Sequence, residues 1–451
     1  MKTSRDIPLQ SAIFGIIAAL SATLVAWLWF FLREPDPVRT IALGAVVCLI
    51  VAGYVLSRGH VWPVLVQMSP TALLMTVFPL IVGTLGETIT LVLMVSITVP
   101  WISHAVTLPF YRPLQQVDRA DEATFRRTFA RVWPPMIAAS LLSVALFAVV
   151  MTTITGWAAA DLGLYVLGLL TNLVFAQSLI PAQETRRYSR IFAGWFLYAA
   201  ALFLAPHLWF LAPLAGLLPQ LHLLGRGLAG LATPLRLPVR PLVRETAIGL
   251  SLGSVLWADK FFLIALNLHR VDIITVYVGL IPVVVAIAFY FSSQYPVLRA
   301  SLDSLMSGIN SDPIPTLWNT GTQTRRQLWS TMATTVLVAA GTGLGVMLIS
   351  GGLPIEHGPF SLMLFLVPTV LLGLHLALYQ LTQFQLDERA AGLGAIHLAA
   401  TVLAFGFLDP EFAYVVVLLT SLAVTTAALK WTSDSVADVP YEQFWQKAVA
   451  W

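Results

Sequence analysis

Asp259 and Lys260 stand side by side inside the apolar stretch Leu252–Asn267, LGSVLWADKFFLIALN. At mid-bilayer depth an ionisable side chain costs at least about 2.5–3.5 kcal/mol, so such residues face a bundle interior or a wet cavity. An acid and a base held there could bind a polar solute or carry a coupling ion. Successive residues on a helix point about 100° apart, which predicts that at least one of the two finds its partner on another helix or in water. His104 and His375 also lie within apolar spans, suited to an interhelical hydrogen bond or to ion coupling. Asn172, Gln177, Tyr379 and Gln380, with Trp257 beside the charged pair, offer the amide and aromatic surfaces that line a path for a hydroxyl-rich ligand. Further intramembrane polar residues are Glu87, Gln220, His222, Gln383 and His397. No Ser/His/Asp order, paired catalytic carboxylates or HExxH sequence stands out, which argues against an enzyme.

The composition says what kind of element must carry these residues. Of 451 residues, 58% are hydrophobic and only 10% charged, against about 25% charged in a soluble domain. The chain is therefore expected to be all-α and polytopic. The single cysteine, Cys48, excludes a disulfide within one chain, and no cysteine cluster suits a metal. No basic run with interleaved aromatics is present, so nucleic acid is not an expected partner. No cofactor is expected either. The run Ser11–Leu32 exceeds the apolar core of a cleavable signal and reads as a retained membrane helix.

Apolar windows between charged or Pro/Gly punctuation predict about 14 spans. They fall near 10–32, 40–57, 62–85, 88–108, 134–155, 161–182 and 191–208. The rest fall near 209–231, 246–267, 272–293, 329–350, 359–383, 390–408 and 412–431. With the N-terminus inside, 21 of the 25 Lys and Arg residues fall on the cytoplasmic side, and only Arg33, Arg39 and Arg270 fall outside. That asymmetry predicts a multi-pass protein of the bacterial inner membrane with both termini cytoplasmic.

The loops narrow the function. Outer connections such as Gly156–Asp161 and Leu268–Asp272 are too short to build a glycosyltransferase site. The inner ones, about 109–133, 232–245 and 294–328, hold no GxxxxGK[ST] sequence, which argues against ATP drive. Gln116–Arg131 is amphipathic and predicts a surface helix at the headgroups, and Val439–Trp451 a second interfacial segment. Proline and glycine recur inside spans, at Pro100, Pro282, Gly341, Pro368 and Gly373 among others, and suit helices that bend.

With the first two spans set aside as a hairpin, six spans precede Arg236–Arg244 and six follow. That is the plan of the multidrug/oligosaccharidyl-lipid/polysaccharide exporter superfamily, which hydropathy by itself does not separate from other twelve- or fourteen-helix transporters. Within it, LGSVLWADKFFLIAL resembles the Trp-x-Asp-Lys helix of the Pel exopolysaccharide transporter (PelG) family, on Trp257, Asp259 and Lys260. VYVGLIPVVVAIAFYFSSQYPVLRASLDSLMSGI and LGLLTNLVFAQSLIPAQETRRYSRIFAGWFLYAA are similar to two further stretches of that family, and VPYEQFW to its Tyr-x-x-Phe ending. SPTALLMTVFPLI corresponds to its Ser-Gly-Pro-Trp first helix, with Ser69-Pro70 lacking the Gly and Trp. Gln294 stands where the family tends to have Glu, and no Arg-x-x-Asp pattern is visible in SHAVTLPFYRP.

The resemblance, to a divergent member, implies a hairpin at 1–60, a first six-helix lobe at 61–235, a linker at 236–245, a second lobe at 246–431 and an amphipathic tail at 432–451. It implies export of a polysaccharide or lipid-linked glycan by alternating access, with membrane lipids, a cytoplasmic glycosyltransferase and membrane subunits of a synthase complex as partners. Asp259 and Lys260 would then face the cavity. Two other readings stand beside it: a proton- or sodium-coupled small-molecule antiporter, and a non-transporting scaffold subunit of a synthase. Several cationic residues in the cavity would favour an anionic glycan, and one carboxylate in an apolar cavity the antiporter. A pair neutralised internally among packed aromatics would favour the scaffold.

Overall fold

The computed structural model describes Val77, Ile81 and residues 84–115, 117–118, 121–235, 238–267, 273–308, 313–349, 359–384 and 386–449. The expected hairpin at 1–60, most of the span at 62–85 and the SPTALLMTVFPLI segment lie outside the described residues.

Helices account for every regular element among the described residues, and no strand occurs there. Helix α1 is Ile89–Gln115, α2 Glu122–Thr155, α3 Ala159–Ser178, α4 Ile180–Glu184, α5 Tyr188–Leu204 and α6 Ala212–Leu224. Then come α7 at Val239–Leu266, α8 at Ile273–Phe289, α9 at Tyr295–Gly308 and α10 at Ile314–Ile349. The last three are α11 at Pro359–Gln383, α12 at Asp387–Phe407 and α13 at Pro410–Val449. Among the described residues 7 helices are long and apolar enough to cross a membrane. The protein is an all-α polytopic membrane protein. The large apolar side chains Leu142, Val149, Leu403 and Leu419 are exposed, which suits a lipid solvent.

The described residues form two compact units, one of 69–272 with 394–413, the other of 273–393 with 414 onward. In the first unit α1 packs against α7, α2 and α3, α5 packs on α6, and α3 on α6. In the second, α8 packs on α10 and α11, and α9 on α10.

Several boundaries differ from those expected. The amphipathic segment before residue 131 is no separate surface helix, because α2 runs unbroken from Glu122 into the membrane half. Phe125, Phe129 and Trp133 recur every fourth residue and are all buried, so they extend the buried stripe of Met136, Ser140 and Phe147. A 3-10 turn, Gly225–Ala232, lies over this part of α2. Gly230 permits that approach, since a Cβ there would sit 2.6 Å from the Arg127 carbonyl oxygen. Asp121 caps α2, its Oδ1 accepting from the Thr124 N–H at 3.1 Å. Hydrogen bonds from Thr124, side chain first and then backbone, hold its carboxyl below the usual carboxylate range.

The span expected at 209–231 is a 13-residue helix followed by that 3-10 turn. At about 1.5 Å per residue, α6 reaches only about 20 Å. The chain does not leave its helix at 293 either, because α8 continues through a π-turn into α9. The tail likewise continues α13, a 40-residue helix. Such a helix is about 60 Å long, roughly twice the hydrocarbon core.

Candidate functional site

Helix α7 carries the charged pair, and its own glycines set where the pair sits. Gly249 and Gly253 form a small-x-x-x-small face against α1. A Cβ on Gly249 would stand 2.5 Å from Ala105 Cα, and one on Gly253 would stand 2.9 Å from Trp101 Cδ1. The approach is therefore backbone to backbone. Trp101 fastens it by donating its Nε1–H to the Leu250 carbonyl at 2.8 Å. Trp101→Phe keeps the ring and removes that bond. It should lower stability by about 0.5–1.5 kcal/mol, read as a lower melting temperature of the purified protein in detergent.

Further along α7, Phe261 joins Trp101 and Phe147 in a cluster of three edge-to-face rings, with centroids 4.9, 5.4 and 5.7 Å apart. Helix α12 meets the same helix at Gly394. A Cβ on Gly394 would lie 2.5 Å from Ser251 Oγ. Asp259 and Lys260 are themselves buried, at 0% and 2% exposure.

The pair closes on itself. Lys260 Nζ lies 2.9 Å from both carboxylate oxygens of Asp259, and its hydrogen bond is directed at Oδ1. Of the two partners expected for the pair, another helix or water, no other helix supplies one among the described residues. Rigid Cβ vectors do point apart, but four methylenes let the ammonium bend back to its neighbour. An ammonium has three donors, and among the described residues only Asp259 accepts from it. Asp259 Oδ2 is in ion-pair contact with Lys260 but receives no well-directed hydrogen bond. A buried ion pair offsets its desolvation only when further hydrogen bonds saturate both groups. Among the described residues this pair is compensated in charge and draws no hydrogen bond from another helix.

The other candidates separate. Trp257 is half-buried on α7. Asn172 is buried and donates to Gly168 of its own helix at 2.9 Å, so its amide closes a local turn. Gln177 donates to Ser140 Oγ at 2.7 Å and ties α3 to α2, while its Oε1 has no hydrogen-bond partner among the described residues. His104 is half-buried on α1 opposite Gly253. His375, Tyr379 and Gln380 belong to the other unit, on α11. His397 of α12, one of the further intramembrane polar residues of the sequence, is fully buried. Its sequence signal was a polar residue in an apolar window, shared with many others. The glycine spacing of α7 was a stronger signal for the α1 contact. Among the described residues no group of three His, Cys, Asp or Glu side chains could hold a metal.

No protein-family model and no curated protein sequence matches the chain. Two solved structures are similar to it over 83% of its length. One is an inward-facing multidrug resistance MATE family transporter of the MOP superfamily, 8% identical, matched over 93% of that chain with a TM-score of 0.44. The other is a MATE in complex with MaL6, 12% identical, matched over 94% of that chain with a TM-score of 0.44. Likeness at this level assigns no family.

Proposed function

We propose that this chain is a transporter of the bacterial inner membrane that exports a polysaccharide or lipid-linked glycan by alternating access between two helical lobes. The observation that carries the reading is the buried Asp259–Lys260 pair on a membrane-spanning helix, which draws no hydrogen bond from another helix among the described residues. A pair kept only for structure would gain from saturating hydrogen bonds or from replacement by apolar side chains. One kept for function must be able to exchange partners, which a saturated pair resists. The similarity of the surrounding Trp-x-Asp-Lys helix to the Pel exopolysaccharide transporters supplies the substrate class. Both termini are then cytoplasmic, and a cytoplasmic glycosyltransferase and membrane subunits of a synthase work beside it.

One observation favours the antiporter as a second reading. Among the described residues the buried charged side chains are Glu245, Asp259 and Lys260, with no cluster of buried cations. An anionic glycan would want such a cluster, whereas an uncharged glycan or a small cation would not. Internal neutralisation also suits a scaffold subunit.

The test is genetic and then biochemical. Removing the chain from its host should stop appearance of cell-surface or secreted carbohydrate while lipid-linked intermediates accumulate inside. Purified protein in vesicles should move such an intermediate between leaflets without other subunits. Normal secretion without the chain would refute export. Efflux of a cationic dye driven by a proton or sodium gradient would establish the antiporter instead, and vesicles inactive in both assays would leave the scaffold.

A further inference from the structure

The second unit holds a polar and aromatic cluster that the charged pair leaves unused. Its frame is a π-turn at Tyr290–Gln294, in which the Tyr295 N–H bonds to the Tyr290 carbonyl, five residues back. Pro296 accounts for it. Proline lacks an N–H and its ring crowds the carbonyl four residues earlier, so the helix widens there. The extra residue brings Tyr290, Phe291 and Tyr295 around Tyr379 of α11, with ring centroids 6.4, 5.7 and 5.9 Å from it.

Amides border these rings. Gln383 Oε1 accepts from the Tyr295 hydroxyl at 3.4 Å and from Arg299 Nη1 at 3.3 Å, both long bonds. Arg299 is charge-compensated, its Nε 3.0 Å from Asp303 Oδ1. Gln380 is different. It is 1% exposed, yet neither its Oε1 nor its Nε2 has a hydrogen-bond partner among the described residues. The buried Tyr290 hydroxyl beside it is near enough to interact but lacks hydrogen-bond geometry. Buried polar atoms without partners cost the full desolvation of the group, so a carboxamide and a phenol left so together need an explanation.

We propose that Tyr290, Tyr295, Tyr379, Gln380 and Gln383 form a binding subsite for one uncharged sugar ring. The inference rests on the glycan-export reading and narrows its substrate class. A carboxamide presents a donor and an acceptor side by side, matching two neighbouring hydroxyls of a pyranose. The tyrosine faces suit the apolar C–H face of the ring. The cluster carries no net charge, since Arg299 is balanced by Asp303, so a neutral residue fits better than a uronate.

The full chain in lipid nanodiscs should transfer NMR saturation to the ring C–H protons of cellobiose, maltose or lactose, and less to a galacturonate dimer. Gln380→Met, near-isosteric and apolar, should bind the sugar about tenfold more weakly and yet melt at a higher temperature. That opposite movement separates a ligand-facing amide from one bonded within the fold. Tyr379→Leu should also lose the saturation signal, while Trp101→Phe should keep it. No transfer from the wild type to any of the three sugars would overturn the subsite, as would unchanged binding or a lower melting temperature in Gln380→Met. Continued export by a wild type that binds none of them would sink the subsite alone. Secretion persisting in cells that lack the chain would sink the export reading instead.

Discussion

Lys260→Met on its own should destabilise the protein by about 3–5 kcal/mol, because it leaves the Asp259 carboxylate sealed without a counter-charge. The expected readout is a large fall in melting temperature and in the yield of monodisperse protein from membranes. Asp259→Leu added to Lys260→Met should recover most of that loss. Two apolar side chains of similar volume need no partners, and replacing a buried ion pair in this way is often neutral or stabilising. The double variant should therefore be well folded and inactive in export. It separates two roles that either single variant confuses. Wild-type secretion by the folded double variant would show that the pair only holds α7 in place.

The second large effect is steric. Gly249→Ala puts a methyl group 2.5 Å from Ala105 Cα and 2.9 Å from its carbonyl oxygen, and backbone atoms cannot rotate aside. Helices α1 and α7 must separate, at a cost of about 1–3 kcal/mol for alanine and more for Gly249→Val. Separation would also stretch the Trp101 bond to Leu250 and loosen the rings beside Phe261. Export should thus fail together with stability, in contrast to the double variant of the pair. Gly341→Ala is the control, since a Cβ there meets nothing within 4 Å. It should be neutral, or stabilising by up to about 1 kcal/mol from helix propensity. Equal thermal stability of the Gly249 and Gly341 variants would show that the α1–α7 contact is not close-packed.

Much of the molecule was legible before any fold was known. A composition of 58% hydrophobic and 10% charged residues marks a lipid-embedded helical chain, because each apolar window is a local property. The cost of Asp259 and Lys260 was local too, as it follows from depth in the bilayer. The Gly249–Gly253 spacing was equally visible, yet its partner was not, since nothing in α7 says that Ala105 is what it meets.

Boundaries and pairings were decided elsewhere. Continuity of α2 depended on the burial of Phe125 and Phe129, and the π-turn on Pro296 within a continuing helix. Sequence alone determined that this is a polytopic helical membrane protein with a costly charged pair in one span. Only the tertiary structure decided that Lys260 turns back on Asp259, that α1 packs on the glycine face of the same helix, and that Gln380 lies beside a tyrosine of the π-turn. Hydropathy and propensity act over a few neighbouring residues, whereas a side chain's partner depends on which helices pack together and on the rotamer that packing leaves open.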